Sequence, residues 1–198
     1  MIPDLDSPLE TFPARRAAAY HAYYEHMPLR AAARPKGTDL LLYRRFGWGA
    51  LGEIHMLDTR QYRTDQPCGD KVKPPCAERA NPAATILGDA QQKWLFDGLS
   101  RSRAQWNVLA QQVIVAEADF DPGPGELHWM DKWDGYPAAR ERLMAFLEQR
   151  RPANPVVLSG DNHNNWVFDL KRDFSGLESA RACHRICRHV DHLERGRR

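Results

Sequence analysis

Apolar residues along this chain alternate between two spacings, and each change of spacing marks a new element. Residues 14–27 are rich in helix formers, gather their aromatic residues on one stripe and stop before Pro28, which predicts an opening helix with Tyr20, Tyr23 and Tyr24 as packing residues. Two β-rich runs follow at 40–46 and 51–57, and the Gly47-Trp48-Gly49 between them has the length and chemistry of a hairpin connection. Residues 64–87 hold four prolines, two cysteines and no periodicity, so they read as a long loop of the kind that lies over functional sites. A helix is expected from Gly88, with Ala90, Trp94, Leu95 and Leu99 at helical spacing and with Arg101 and Arg103 at the end that favours cations. Residues 106–115 read as a buried strand carrying Gln111-Gln112, 119–134 as a Gly-, Pro- and Asp-rich loop, and 138–149 as a helix that buries Ala139, Leu143, Phe146 and Leu147. Strands at 155–158 and 166–170 close the pattern. Strand, helix, strand, helix, strand is the order of an α/β sheet with helical layers, and such sheets place their sites at the carboxyl ends of the strands.

Candidate chemistry collects at one such end. The run Pro155-Val156-Val157-Leu158 leads into Ser159-Gly160-Asp161-Asn162-His163-Asn164-Asn165-Trp166. Asp161 supplies a hard oxygen and His163 a borderline nitrogen, two residues apart on an irregular loop, so both could face one cation. The plainer alternative is a Gly-Asp turn followed by a surface histidine. The 51–57 strand similarly delivers Asp58-Thr59-Arg60-Gln61-Tyr62-Arg63 at its own carboxyl end.

Composition narrows the class. With 198 residues, 42% of them hydrophobic and 27% charged, the chain can bury one core, so a single globular unit is the default expectation. A formal charge of +2 with scattered arginines argues against a nucleic-acid-binding module. No apolar run approaches the ~18 residues of a membrane-spanning helix, and the first residues lack the pattern of a signal peptide. Cys68 and Cys76 flank a polar, proline-containing loop and either close a small disulfide or remain thiols, according to the redox compartment. Cys183 and Cys187, interleaved with His184, His189 and His192, superficially resemble a zinc site, but their spacing fits no paired Cys/His pattern.

Four ordered blocks carry a family resemblance: Leu57-Asp58-Thr59-Arg60-Gln61-Tyr62-Arg63, Trp106-Asn107-Val108-Leu109-Ala110-Gln111-Gln112-Val113, Trp133-Asp134-Gly135-Tyr136-Pro137-Ala138-Ala139-Arg140, and Leu158 through Trp166. Together they resemble the C-terminal half of the catalytic domain of the alkaline phosphatase D (PhoD-like) metallophosphoesterases, over roughly residues 14–175. The resemblance implies an incomplete calcineurin-like αββα sandwich, hydrolysis of small-molecule phosphate esters, and a centre of calcium with iron. By motif position Asp161 and His163 carry over as metal ligands, while Asp58, Arg60, Gln111 and Asn164 are weaker candidates for shaping the site or contacting phosphate. Glutamine at the edge where other calcineurin-like enzymes place a histidine suits an oxygen-favouring ion such as calcium. The blocks that supply the family's other metal ligands are absent from this sequence, and no residue is assigned as the catalytic group. Family members look exported, so localisation stays open.

The last residues read differently. Codons permitted for 183–196 include a series that, read one base later, translates to ATEFVGTSITSSG, which resembles the segment following the GDxH strand in this family. Residues 1–180 are therefore expected to form the C-terminal portion of a PhoD-like domain, and 181–198 a frameshifted, disordered tail whose Cys/His pattern is an accident. Two functions follow from different classes: a truncated phosphoric-ester hydrolase of monoesters or diesters, or a non-catalytic remnant of a disrupted phosphatase gene.

Overall fold

The computed structural model of the protein describes residues 10–160, 165–172, 174 and 187–189. The chain falls into two compact units, Met1–Arg44 and Arg45–Arg198, rather than the single unit that composition suggests. In the first, α1 (Phe12–His26) starts with a proline in its first turn and is followed by a 3₁₀ turn at Ala31–Ala33. Tyr20 is buried beneath Arg16, whereas Tyr23 stays largely exposed, so only part of the aromatic stripe packs.

The second unit is built on a six-stranded sheet formed by β1 (Arg44–Trp48), β2 (Gly52–Met56), β4 (Trp106–Ala110), β6 (Pro155–Ser159), β7 (Val167–Phe168) and β8 (Cys187–His189). The strand order is β1-β2-β4-β6-β8-β7. A separate two-stranded ribbon pairs β3 (Val72–Lys73) with β5 (His128–Trp129). Strands β2, β4, β6 and β8 are mutually parallel, and β7 returns antiparallel to β8. Helices α2 (Gly88–Arg101) and α3 (Pro137–Arg150) form the two crossovers, β2 to β4 and β4 to β6. Each crossover steps one strand in the same direction. With the usual right-handed connection, that places both helices on one face of the sheet.

Packing agrees with that topology. Leu95 and Leu99 of α2 and Ala139, Leu143, Met144 and Leu147 of α3 share one buried cluster with Leu109 of β4 and Val157 of β6. Phe96 and Phe146 stack between the helices at 4.0 Å. Each fully buried aliphatic side chain here contributes on the order of 2 kcal/mol, so truncating Leu143 to alanine would cost ~2–5 kcal/mol once the cavity is included.

Several elements depart from their sequence-based bounds for identifiable reasons. The hairpin turn sits at residues 49–51, with Trp48 kept in β1, because Gly49 supplies the positive φ of 54° that closes the turn from Trp48 to Leu51. The strand expected over 106–115 ends at Ala110, beyond which the side chains of Gln111 and Gln112 bond the backbone carbonyls of Val113 and Leu57. The 119–134 loop contains β5, and a 3₁₀ turn at Trp133–Gly135 follows it; that turn needs glycine, since a Cβ on Gly135 would collide with the carbonyl oxygen of Met130. Cys68 and Cys76 form a disulfide with Cα atoms 5.9 Å apart, which resolves the alternative left open by their spacing. Within the tail expected to be disordered, Cys187–His189 run as β8, because the far edge of β6 offers unpaired backbone groups to whatever chain lies beside it.

Candidate functional site

Because β2, β4 and β6 are parallel and adjacent, their carboxyl ends lie at one sheet edge, bringing Asp58, Gln111 and Gly160 together. The ladder continues past the strand ends: Leu57 N–H donates to the Ala110 carbonyl at 2.8 Å and Gln111 N–H to the Leu158 carbonyl at 2.9 Å. Gly160 N–H then reaches the Gln112 carbonyl at 3.2 Å. The motif residues Asp161, His163 and Asn164 lie outside the described residues. Gly160, immediately ahead of Asp161, stands at the same edge as Asp58 and Gln111.

Asp58 is buried and committed to its own turn. One carboxylate oxygen accepts the backbone N–H groups of Arg60 and Gln61, each at 2.9 Å, and the other accepts the Gln61 side-chain amide at 2.5 Å. Such an Asx-type turn fixes where the following residues point. From α2, Gln91 clamps the Asp58 backbone on both sides, accepting its N–H at 2.7 Å and donating to its carbonyl at 2.8 Å. Asp58 therefore shapes the rim.

Gln111 is equally engaged. Its carbonyl oxygen accepts the Trp133 indole N–H at 3.1 Å and the Val113 N–H at 3.2 Å, while its amide nitrogen donates to the Ser159 hydroxyl and the Val113 carbonyl. The neighbouring Gln112 accepts both the N–H and the hydroxyl of Thr59, at 2.8 and 2.7 Å, and donates to the Leu57 carbonyl at 2.8 Å. Two consecutive glutamines thus tie the three strand ends into one polar rim in place of apolar packing.

Arg60 points from that rim to Asp131 on the 119–134 loop, at 2.5 Å. Arg63 meets the other oxygen of Asp131 at 2.7 Å, and the Gln66 amide adds a bond of 3.1 Å. Burial alone would raise the Asp131 pKa, but the hydrogen bonds from Arg60 and Gln66 and the charges of Arg60 and Arg63 hold it below the ordinary carboxylate value. Two guanidinium groups thus converge on one carboxylate beside the rim. The same long loop is pinned underneath by a buried ion network. Arg140 meets Asp134 at 2.5 Å and Glu117 at 2.7 Å, and Arg79 donates to the Asp134 carbonyl at 2.6 Å.

Sequence reading found Asp58, Arg60 and Gln111 at this edge and quoted Gln112 and Trp133 without giving them a role, but missed Gln91 and Asp131 among the residues that hold them. A doubled glutamine ending an apolar run, and an aspartate inside a Gly/Pro-rich loop, were the available signals.

A family model described as PhoD-like phosphatase matches residues 4–186. The chain belongs to that family. PhoD-like relatives include alkaline phosphatase D of Bacillus subtilis (strain 168), 49% identical over 178 residues that cover 90% of this chain and 30% of that protein. A solved chain titled "Structure of PhoD" superposes with a TM-score of 0.88 at 46% identity, covering 96% of this chain and 36% of that one. The chain thus spans about a third of the length of the PhoD-like proteins it matches. Its mixed sheet with crossover helices is accordingly a PhoD-like α/β architecture.

The metal centre that the PhoD-like family suggests does not fit the described residues by themselves. The oxygens of Asp58 and the amide of Gln111 are engaged inside the fold, and among the described residues no group of three or more His, Cys, Asp or Glu side chains is arranged to hold an ion.

Proposed function

We propose that this chain is the C-terminal portion of a metal-dependent phosphoric-ester hydrolase of the alkaline phosphatase D type, acting on small phosphate monoesters or diesters. Residues 1–180 form that portion, on one half of a calcineurin-like αββα sandwich, and 181–198 are an out-of-frame tail. The observation that carries the reading is the convergence of the β2, β4 and β6 ends at one edge, directly ahead of Asp161, in a chain 49% identical to an alkaline phosphatase. Asp161 and His163 are the metal ligands in this reading, with calcium and iron as the expected ions. Arg60, aimed by Asp131, and Asn164 belong beside the phosphate, where a fixed guanidinium would neutralise nonbridging oxygens. Asp58 and Gln111 hold the rim in shape.

One observation favours the second reading, a non-catalytic remnant. The polar groups described at the rim are engaged within the fold, and phosphoryl transfer depends on charge and geometry that two ligands alone do not supply. Hydrolysis of p-nitrophenyl phosphate with calcium and iron separates the two. The 198-residue chain should be no faster than its Asp161→Ala variant, whereas joined to the rest of a PhoD-like protein the same substitution, or His163→Ala, should abolish most activity. Metal-dependent turnover by the short chain that Asp161→Ala removes would assign it a complete site.

A further inference from the structure

A short chain of bonds ties the disulfide-closed loop to the rim. Cys68 and Cys76 bracket β3, which pairs with β5 so that Val72 lies opposite Trp129 and Lys73 opposite His128. The pairing continues one step further, where Met130 N–H donates to the Lys71 carbonyl at 2.9 Å. Asp131 is the next residue, and its carboxylate holds Arg60, Arg63 and Gln66, all on the run that leads into Cys68. Asp131 is therefore gripped from both sides of Cys68, by side chains ahead of it and through the Lys71–Lys73 backbone beyond it.

The backbone inside the loop sits in conformations that need an outside hold. Cys68, Asp70 and Lys71 have φ of 60°, 64° and 66°, a region that L side chains disfavour. Oδ1 of Asp70 is also buried without a hydrogen-bond partner among the described residues. A two-residue ribbon is too short to keep such a loop closed by itself. Residues 71–75 are exposed and both cysteines are half-buried, so a small dithiol can reach the bond. We propose that the Cys68–Cys76 disulfide is a redox-controlled positioning element for Arg60. Closed, it keeps β3 on β5 and Asp131 on Arg60; opened, it lets the ribbon and that pair come apart. The co-reactant is a dithiol. Its thiolate attacks one sulfur and its second thiol resolves the mixed disulfide, so two electrons and two protons pass to Cys68 and Cys76 as the dithiol closes to a disulfide. What the positioned guanidinium would do, contact phosphate, rests on the reading above.

The test compares the 198-residue chain with its disulfide intact and after dithiothreitol, with Cys68→Ser/Cys76→Ser as the form that dithiothreitol cannot change at this position. Reduction should speed amide exchange over residues 128–131 by at least roughly tenfold and leave β4 unchanged, because the opening is local. Phenylglyoxal should modify Arg60 severalfold faster in the reduced chain, read on the peptide that carries it. Across a series of dithiothreitol redox ratios that rate should follow the thiol content of Cys68 and Cys76 with a shared midpoint. The double serine variant should match the reduced chain with or without dithiothreitol, and Asp131→Asn should leave Arg60 fast in both redox states. If the serine variant does not accumulate, the reduced unsubstituted chain carries the comparison. Exchange or Arg60 reactivity that reduction leaves unchanged would overturn the proposal. So would acceleration that extends through β4, which is what a plain stabilising cross-link gives, or a redox effect on Arg60 that persists in Asp131→Asn. None of these measurements needs turnover, so a PhoD-like fusion of this chain without phosphatase activity would sink the proposed function and leave this element standing.

Discussion

Acid should weaken the second unit through a single buried histidine. His55 on β2 is wholly buried, with its ring edge-on to Trp94, and its Nδ1 accepts a hydrogen bond from Arg45 at 3.2 Å. Burial, reinforced by the Arg45 charge, lowers its pKa from 6.5 to about 4, while Glu53 stands 3.2 Å from Nε2 without an aligned hydrogen bond. Between pH 6.5 and 4 the unfolded chain therefore binds a proton that the folded chain refuses, so the contribution to stability is full above 6.5 and lost as pH falls to about 4. A difference of that size, at ~1.4 kcal/mol per pH unit, amounts to ~3 kcal/mol. Urea unfolding between pH 7.5 and 4.5 measures it, with His55→Gln as the control that cannot titrate. The wild-type midpoint should fall more steeply below pH 6.5 than that of the variant, with the two curves converging toward pH 4. Parallel curves would show that the imidazole is not held neutral, and the reasoning from burial would fail.

Three further outcomes are expected. Arg140→Met should destabilise the protein by ~3–5 kcal/mol, read by chemical denaturation, because it leaves Asp134 buried without its cation; a loss under ~1 kcal/mol would mean that water reaches the pair. Gly135→Ala should leave little soluble protein, since its Cβ would meet the backbone oxygen of Met130 and not a side chain able to move aside. Cys76→Ser should lower stability by ~2–3 kcal/mol under oxidising conditions and change nothing under reducing ones, because it opens a loop whose ends are 8 residues apart.

Much of this arrangement was legible in the sequence because it follows from spacing. Helices at Gly88 and Pro137 announced themselves by apolar periodicity and by glycine and proline at their starts, and the β6 run by four apolar residues ahead of a glycine. Asp58 and Gln111 were expected at one edge and stand there, because parallel order fixes which strand ends coincide. What spacing could not show was which polar groups the fold consumes. Asp58 reads in sequence as a residue that shapes the site or contacts phosphate, and in the fold its carboxylate is spent on its own turn, while Gln111 reads as an oxygen donor but is engaged by Trp133 and Ser159. Asp131 escaped notice because its partner Arg60 lies 71 residues away, in a segment with no periodicity to align them. The early end of β4 was equally hidden, since side-chain capture of backbone groups leaves no trace in the apolar pattern.

The parallel register also governs how this chain must come together in time. Gly52 pairs with Trp106 and Asn107 with Pro155, so each central ladder closes a segment about 50 residues long before any of its hydrogen bonds form. Contacts so distant in sequence make for slow folding and prolonged exposure of apolar strands. On a ribosome, β2 and β4 can meet only after α2 has emerged, and β4 keeps an open side until residue 155 has been made. A nascent chain stalled ahead of β6 would thus present Val108 and Leu109 along an unpaired edge, and that interval is when aggregation or chaperone capture competes most strongly with folding.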